Sequence, residues 1–574
     1  MTFDPVKLEI LWNRLLSVCN EQQVTLLRTA FSTVVRESQD LACGVFDALG
    51  RMVAQSVTGT PGHINAMATG VIHFLETYPP DTLVEGDVLL TNDPWQTAGQ
   101  INDMTVLTPV FLEGRVVAFF ASTCHAPDIG GRILSAEARE VFEEGLRIPI
   151  TKLFAAGKPN EELLRILRAN VRTPEETVGD LYAQMSSNAV GARSLLHLMR
   201  EFGLTSLEEL SEEITKRSEQ ALRASIRAIP NGTYRSEVWS DGFEEPVVIR
   251  TTVRVEDDEI YIDFAGSSPQ SRRGINVVLN YTKAYASFAI KAAIAPEVPH
   301  NDGAFRPVHI SAPRGSILNC VEPAAVASRH LIGHFLPGAI FAALAEVMSG
   351  RLMAGGSEPV WITLWRGQKN TGSPFLLSHF QLGGAGARAE KDGLSTTGFP
   401  SGVGGVPVEI IESLAPLLQE HRELRQDSGG AGKYRGGLGQ ATAMRCLSGQ
   451  PWEVSAMVDR LRFPGQGVQG GSPGRCGEFL IDGAPAPAKS LLALAPSAAV
   501  TLNLPGGGGF GDPKERAVER VLLDVVNGYV SVDAAEREYG VAVEYIGAEA
   551  AIVRMPEHYR VDAERTQRLR SARS

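Results

Sequence analysis

The amino-acid sequence predicts a mixed α/β protein with several domains. Its 574 residues are more than one hydrophobic core usually accommodates. Helical apolar periodicity and strand-like alternation both occur along the chain, and many of the 58 glycines cluster between short apolar runs. We therefore expect an N-terminal module at 1–228, a central β/α module at 229–425, and a Gly-rich β module with a helical tail at 426–574.

The N-terminal module is expected to begin with a long amphipathic helix, because apolar residues recur at helical spacing over 5–37. The next stretch, 41–56, alternates apolar and polar residues around a Gly-containing turn, which predicts a β-hairpin. Helical periodicity with many charges predicts a helical segment over 136–225, in which Pro174 opens a helix.

Further along the chain, turn residues and short alternating runs predict that a β-rich module starts near 230. Residues 276–350 are expected to be mostly helical with interruptions. The Gly-rich stretch 380–407 is too long for a routine hairpin turn, and such loops are usually functional or disordered. From 428 to 512, short predicted strands alternate with glycine clusters.

Composition excludes several classes of protein. A formal net charge of −12 argues against binding to a nucleic-acid backbone. The 6 cysteines are sparse and form no CxxC pair, as expected for the reducing cytoplasm. No stretch reaches the roughly 18 apolar residues that a membrane span needs. We expect a cytoplasmic protein with neither a nucleic-acid nor a membrane partner.

Polar side chains that could bind a metal gather in the segments 91–111 and 122–132. The candidates are Asn92, Asp93, Asn102, Asp103, His125 and Asp128. One imidazole among carboxylates suits Zn²⁺, Mn²⁺ or Mg²⁺, so the N-terminal module is expected to be metal-centred. The same residues are also typical of turns whose side chains cap the backbone, and spacing alone does not decide between the two.

Other histidines are interpreted as structural. His63 alone is more often a satisfied polar residue than a ligand. His330 and His334 are four residues apart and could share a helix face, but Leu331 stands where an HExxH motif has glutamate, and no third ligand is evident.

The chain also lacks a recognisable nucleotide-binding motif. Residues 428–439 are rich in glycine, but Tyr434 follows Lys433 where a P-loop needs serine or threonine. No dinucleotide fingerprint follows a predicted strand. An activity that uses ATP would therefore need a second subunit.

Several longer motifs occur in order along the chain. They are SQDLACGVFDALGRMVAQ (38–55), NDPWQTAGQINDMTVLTPVF (92–111), CHAPDIGG (124–131), EVFEEGLRIPITKL (140–153), GGAGARAEKDGLSTTGFPS (383–401), DSGGAGKYRGGLG (427–439) and PGGGGFGDP (505–513). Together they resemble the hydantoinase B/oxoprolinase family, and the resemblance covers nearly the whole chain.

The resemblance implies a division of labour in a hetero-oligomer. An A-type subunit with an actin-like ATPase fold binds ATP and phosphorylates a small substrate, and the B-type subunit carries out the second half-reaction. This chain would be the B-type subunit of an ATP-dependent hydrolase of cyclic amides or imides. One alternative is a subunit of an ATP-dependent ketone carboxylase, and another is a scaffold or regulatory paralogue.

The resemblance also implies a set of site residues. Matching positions give Asp40, Gln100, Asp103 and His125 as metal ligands, and Asp103, His125 and Asp128 as catalytic residues. The family usually has histidine at the position of Gln100. An amide oxygen is a weaker ligand for Zn²⁺ than an imidazole nitrogen, so the site is expected to hold a harder ion, to bind metal weakly, or to be vacant.

Overall fold

The N-terminal part of the protein is a seven-stranded sheet flanked by helices. A computed structural model describes residues 4–348, 350–548 and 550–571. The helices are α1 (Pro5–Thr29), α2 (Thr33–Arg36), α3 (Pro61–Thr77), α4 (Glu161–Asn170), α5 (Pro174–Phe202) and α6 (Glu208–Ile226). The strands are β1 (Leu41–Asp47), β2 (Met52–Gln55), β3 (Val88–Thr91), β4 (Asp103–Leu112), β5 (Arg115–His125), β6 (Thr151–Ala155) and β7 (Lys158–Pro159). The strand order is β2-β1-β5-β4-β3-β6-β7, and neighbours are antiparallel.

The predicted first helix is present, but it ends earlier than expected. The side chain of Asp4 caps its first turn by accepting a hydrogen bond from the Lys7 amide. The helix stops at Thr29 because Asp180 of α5 accepts hydrogen bonds from the backbone amides of Phe31 and Ser32, at 2.7 and 3.2 Å. The predicted hairpin is confirmed as β1 and β2.

The prediction of helix over 136–225 is wrong for its first part. Residues 151–159 form β6 and β7, which turn at Gly157 (φ +80°), and β6 extends the sheet by pairing with β3. This tertiary pairing outweighs a local pattern that includes helix-favouring residues. The helical segment itself is confirmed from Glu161 onwards, and Pro174 opens α5 as expected.

A second sheet and three helices follow. The strands are β8 (Gly232–Ser240), β9 (Val247–Glu256), β10 (Glu259–Asp263) and β11 (Val308–Ser311), in the order β11-β10-β9-β8. The helices are α7 (Leu279–Ile294), α8 (His330–Gly333) and α9 (Phe335–Leu344). Between α7 and α8 the chain is largely irregular, so the expected interruption of the helical pattern is long. α7 packs against both α3 and α9, which places residues from distant parts of the chain side by side.

The C-terminal part contains two larger sheets and one hairpin. One sheet has the order β13-β12-β16-β19 and the other β14-β15-β20-β17-β18. The elements are β12 (Trp361–Gln368), β13 (Pro374–Gln381), α10 (Val408–Leu414), β14 (Leu417–Leu424), β15 (Gln440–Cys446), β16 (Trp452–Met457), β17 (Glu478–Ile481), β18 (Ala484–Pro485), β19 (Leu491–Leu494), β20 (Ala499–Asn503), α11 (Val518–Val526), α12 (Val532–Tyr539), β21 (Val543–Tyr545), β22 (Tyr559–Val561) and α13 (Ala563–Ser571). Both larger sheets pair strands from either side of residue 425, so the second and third predicted modules share these sheets.

The Gly-rich stretches pack against one another, backbone to backbone. Gly437 donates its amide to the carbonyl of Ala385 at 2.8 Å, and Gly507 donates to Gly437 at 2.9 Å. A Cβ added to Gly507 would lie 2.0 Å from the Ala385 carbonyl oxygen, and one added to Gly384 would lie 2.0 Å from that of Gly437. These glycines therefore have a packing role, because any side chain would separate the segments.

No helix in the described part of the chain is long and apolar enough to cross a bilayer.

Candidate functional site

The candidate site is built around a pair of residues on adjacent strands. Asp103 is the first residue of β4, His125 is the last residue of β5, and the antiparallel register places them directly opposite each other. Their side chains therefore leave the sheet on the same face, and Nδ1 of His125 lies 2.9 Å from Oδ1 of Asp103. Both side chains are buried, with Asp103 fully inaccessible.

A second histidine joins Asp103 to another carboxylate. His63 lies in the first turn of α3, with Nε2 at 3.0 Å from Oδ2 of Asp103 and Nδ1 at 3.5 Å from Oδ1 of Asp40. The hydroxyl of Thr60 donates to the same oxygen of Asp40 at 2.9 Å. Three of the residues considered in the sequence thus converge in space with His125, and His63 bridges the two carboxylates.

The charges of the cluster set its protonation. Burial lowers the pKa of His63, but the negative charges of Asp103 and Asp40 outweigh it, so the pKa of His63 is raised. Burial raises the pKa of Asp103, but the positive charges of Arg329 and His63 outweigh burial there, and its pKa lies well below the usual value. Asp103 is therefore ionised, and His63 favours the charged form.

Arg329, which sequence reasoning missed, is the central cation of the site. Its Nη2 donates to Oδ2 of Asp103, its Nη1 donates to Oε1 of Gln100, and its Nε donates to the Ala98 carbonyl at 2.7 Å. The guanidinium carbon lies 4.1 Å from the ring centroid of Tyr281, a cation–π distance. The signal in the sequence is an arginine directly before the pair of histidines in ASRHLIGH.

Neutral rings form one wall of the site. His330 and His334 lie at the start of α8 and just before α9, with ring centroids 5.8 Å apart. Burial lowers the pKa of His334 to about 3 and that of His330 well below its usual value. Burial raises the pKa of Tyr281 to about 12, and its hydroxyl lies 3.4 Å from Nε2 of His334. These groups offer hydrogen bonds without charge, and both histidines line the site.

The cluster encloses a cavity of about 30 Å³, which is room for one or two water molecules. Its lining includes Asp40, His63, Gln100, His125, Tyr281, Arg329, His330 and His334. The structure does not bring Asp128 into this set. Both oxygens of Asp128 accept hydrogen bonds from Arg172, at 2.5 Å from the backbone amide and 2.6 Å from Nη1.

The residues implied as metal ligands do not form a ligand set here. His125, His63 and Arg329 engage both oxygens of Asp103, and Gln100 Oε1 accepts from Arg329. Among residues 4–348, 350–548 and 550–571, no group of three or more His, Cys, Asp or Glu side chains is arranged to hold a metal ion. The expected divalent ion therefore does not fit the donors as they are arranged.

Comparison with known proteins decides the family. The model of the family "Hydantoinase B/oxoprolinase" matches residues 4–513. The chain belongs to this family. The predicted resemblance is thereby confirmed, and the match includes every motif on which it was based.

Four known proteins and solved structures are similar to this chain. The beta subunit of caprolactamase from Pseudomonas jessenii is 30% identical, with 95% of this chain and 97% of that protein covered. The crystal structure of the ATP-dependent caprolactamase from the same organism has a TM-score of 0.90 at 28% identity, covering 100% of both chains. An uncharacterized protein of Methanocaldococcus jannaschii is 31% identical over 99% of this chain and 100% of its own length. A nucleotide-free acetone carboxylase structure has a TM-score of 0.87 at 21% identity, covering 99% of this chain and 82% of that one, which shows a shared fold only.

Proposed function

We propose that this chain is the B-type subunit of an ATP-dependent amidohydrolase that opens a cyclic amide or imide. The observation that carries the proposal is the buried His125–Asp103 pair at the edge of a cavity, in a chain that matches a caprolactamase beta subunit along almost its whole length. The ATP-binding partner is an A-type subunit with an actin-like ATPase fold. The proposed location is the cytoplasm, supported by six free cysteines.

His125 is the proposed general base. An ionised carboxylate can only accept hydrogen bonds. Nδ1 of His125 is therefore protonated and donates to Oδ1 of Asp103. Its Nε2 then has a free lone pair, and His125 lines the cavity. Asp103 orients the imidazole and stabilises its charged form.

The chemistry follows from activation on the partner. Phosphorylation of the amide oxygen makes the carbonyl carbon electrophilic. A water that loses one proton to His125 attacks this carbon and forms a tetrahedral adduct. The hydroxyl of the adduct becomes the carbonyl of an acyl phosphate, the C–N bond breaks, and the ring nitrogen leaves as an amine that has taken the proton from His125 and the hydroxyl proton. The acyl phosphate that remains reacts with a second water to give a carboxylate and inorganic phosphate. None of these reaction steps uses a metal ion, because the side chains implied as metal ligands are not arranged to hold one.

The neutral wall holds the substrate. Tyr281, His330 and His334 offer hydrogen bonds to the ring without competing for charge. A cavity of about 30 Å³ does not accommodate a ring substrate, so the site has to widen when the partner delivers it.

The test is a reaction assay on the complex with its A-type partner. We expect ATP-dependent ring opening within a panel of lactams, hydantoins and cyclic imides, with one phosphate released per ring opened. Bicarbonate-dependent conversion of a ketone, with no ring opening, would instead favour the carboxylase alternative. A complex that hydrolyses none of the panel and carboxylates no ketone would favour the scaffold or regulatory alternative.

A further inference from the structure

Arg329 lies among the residues that the family resemblance implies as metal ligands. Its two terminal nitrogens contact Asp103 and Gln100, which are two of the four implied ligands. The other two implied ligands are partly engaged: Oδ1 of Asp40 accepts from Thr60 and lies 3.5 Å from Nδ1 of His63, and Nδ1 of His125 contacts Asp103. Within the described part of the chain, Oδ2 of Asp40 and Nε2 of His125 remain.

Neighbouring elements hold Arg329 in place. Its Nε is anchored to the Ala98 carbonyl, and the ring of Tyr281 lies against the guanidinium. The loop before Arg329 is held by Glu144, whose Oε1 accepts from the backbone amides of Val326 and Ala327, both at 2.7 Å. The arginine is 3% exposed, so its position is part of the fold.

The charge of this side chain is permanent, because guanidinium does not lose its proton in proteins. A divalent ion bound between Asp103 and Gln100 would lie in contact with that charge and would compete for the same oxygens. An amide oxygen at position 100 is an acceptor suited to a guanidinium N–H, which accounts for glutamine there in this chain.

We propose that Arg329 takes the place of a divalent metal ion and supplies the fixed positive charge of this site. The inference rests on the proposed function for its chemical meaning. Three acceptors use three of the five N–H groups of Arg329, and within the described part of the chain two remain for an anionic oxygen of the phosphorylated substrate. Planar guanidinium is well matched to phosphate and carboxylate oxygens.

The first test measures metal in the purified full-length chain. The protein is incubated with equal Zn²⁺, Mn²⁺ and Mg²⁺, dialysed and analysed for metal, and its melting temperature is recorded with and without EDTA. We expect less than about 0.1 ion per chain and no change with EDTA. One retained ion per chain together with a lower melting temperature in EDTA would overturn the proposal.

The second test uses variants. Gln100→His alone should remain poor in metal because Arg329 still engages Asp103, whereas Gln100→His combined with Arg329→Met should bind about one Zn²⁺ per chain. Gln100→His combined with Arg14→Met removes an exposed arginine instead and should behave like the single variant. Stoichiometric metal in Gln100→His alone would show that Arg329 does not exclude the ion.

The two metal measurements can be made without ATP, substrate or the A-type subunit. If the Arg329→Met double variant fails to fold, the wild type and the single variant still decide the question. A chain that retains metal would refute the proposed role of Arg329 and leave the amidohydrolase proposal standing. A metal-free chain whose complex opens no ring would refute the amidohydrolase proposal and leave the role of Arg329 standing.

Discussion

Arg329 and Asp103 form an ion pair that is buried on both sides, with side-chain exposures of 3% and 0%. Removal of one partner leaves the other charge buried without full compensation. We expect Arg329→Gln to destabilise the protein by about 3–5 kcal/mol, measured as a lower melting temperature. Arg14→Gln is the control, because its pair with Glu201 is 43% exposed on each side and should change stability by about 1 kcal/mol or less. Equal effects of the two variants would argue against an essential buried pair.

His125→Ala should reduce turnover of the complex far more than it reduces stability. Loss of a general base typically costs about 10²–10⁴-fold in rate, while the cavity left by the ring is next to an existing void. The measurement is kcat with the preferred substrate alongside the melting temperature. His73→Ala, which removes an exposed histidine paired with Glu76, should leave both unchanged. Full turnover in His125→Ala would exclude His125 as the base.

Glu144 should make stability depend on pH. Burial raises the pKa of Glu144 to about 8, above the ordinary value of 4.5, against the opposing effect of two backbone amides. A raised pKa in the folded state means that the stability contributed by Glu144 is complete below pH 4.5 and is lost as pH rises through about 8.

Glu144→Gln keeps an acceptor for Val326 and Ala327 but cannot ionise. The free energy of unfolding of the wild type relative to this variant should therefore fall from about pH 4.5 to about pH 8, with a limiting slope of about 1.4 kcal/mol per pH unit. The melting temperature of the wild type should fall relative to that of the variant over the same range. Parallel curves for the two proteins would mean that Glu144 is ionised in the fold.

Gly507→Ala should destabilise the packed Gly-rich segments, because the new Cβ would lie 2.0 Å from the Ala385 carbonyl oxygen. Overpacking of this kind costs about 1–3 kcal/mol. At Gly350 an added Cβ meets no atom of the described residues within 4 Å, so Gly350→Ala should change the melting temperature little. The prediction fails if both alanine variants have the same melting temperature as the wild type.

The isolated chain should not bind ATP, because residues 428–439 lack the serine or threonine of a P-loop and pack as backbone against other Gly-rich segments. Isothermal calorimetry of the chain alone should show no saturable heat, whereas the complex with its partner should. Stoichiometric micromolar binding to the chain alone would contradict the two-subunit proposal.

Local patterns determined part of this protein from sequence alone. The hairpin of β1 and β2, the opening of α5 at Pro174 and the family motifs depend on neighbouring residues, whose periodicity or order is visible in one dimension. The same reasoning failed at 151–159, where pairing with β3 outweighed the local pattern.

The arrangement of the site was decided by the tertiary structure. His63 and Asp103 are 40 residues apart, and Arg329 and Asp103 are 226 residues apart. No periodicity connects such distant positions. The register of β4 against β5 and the packing of α7 against α3 and α8 place the segments that carry them side by side. The sequence by itself determined the family and most candidate residues, whereas the tertiary structure decided that an arginine lies among them and that Asp128 does not, because long-range packing selects which charges meet.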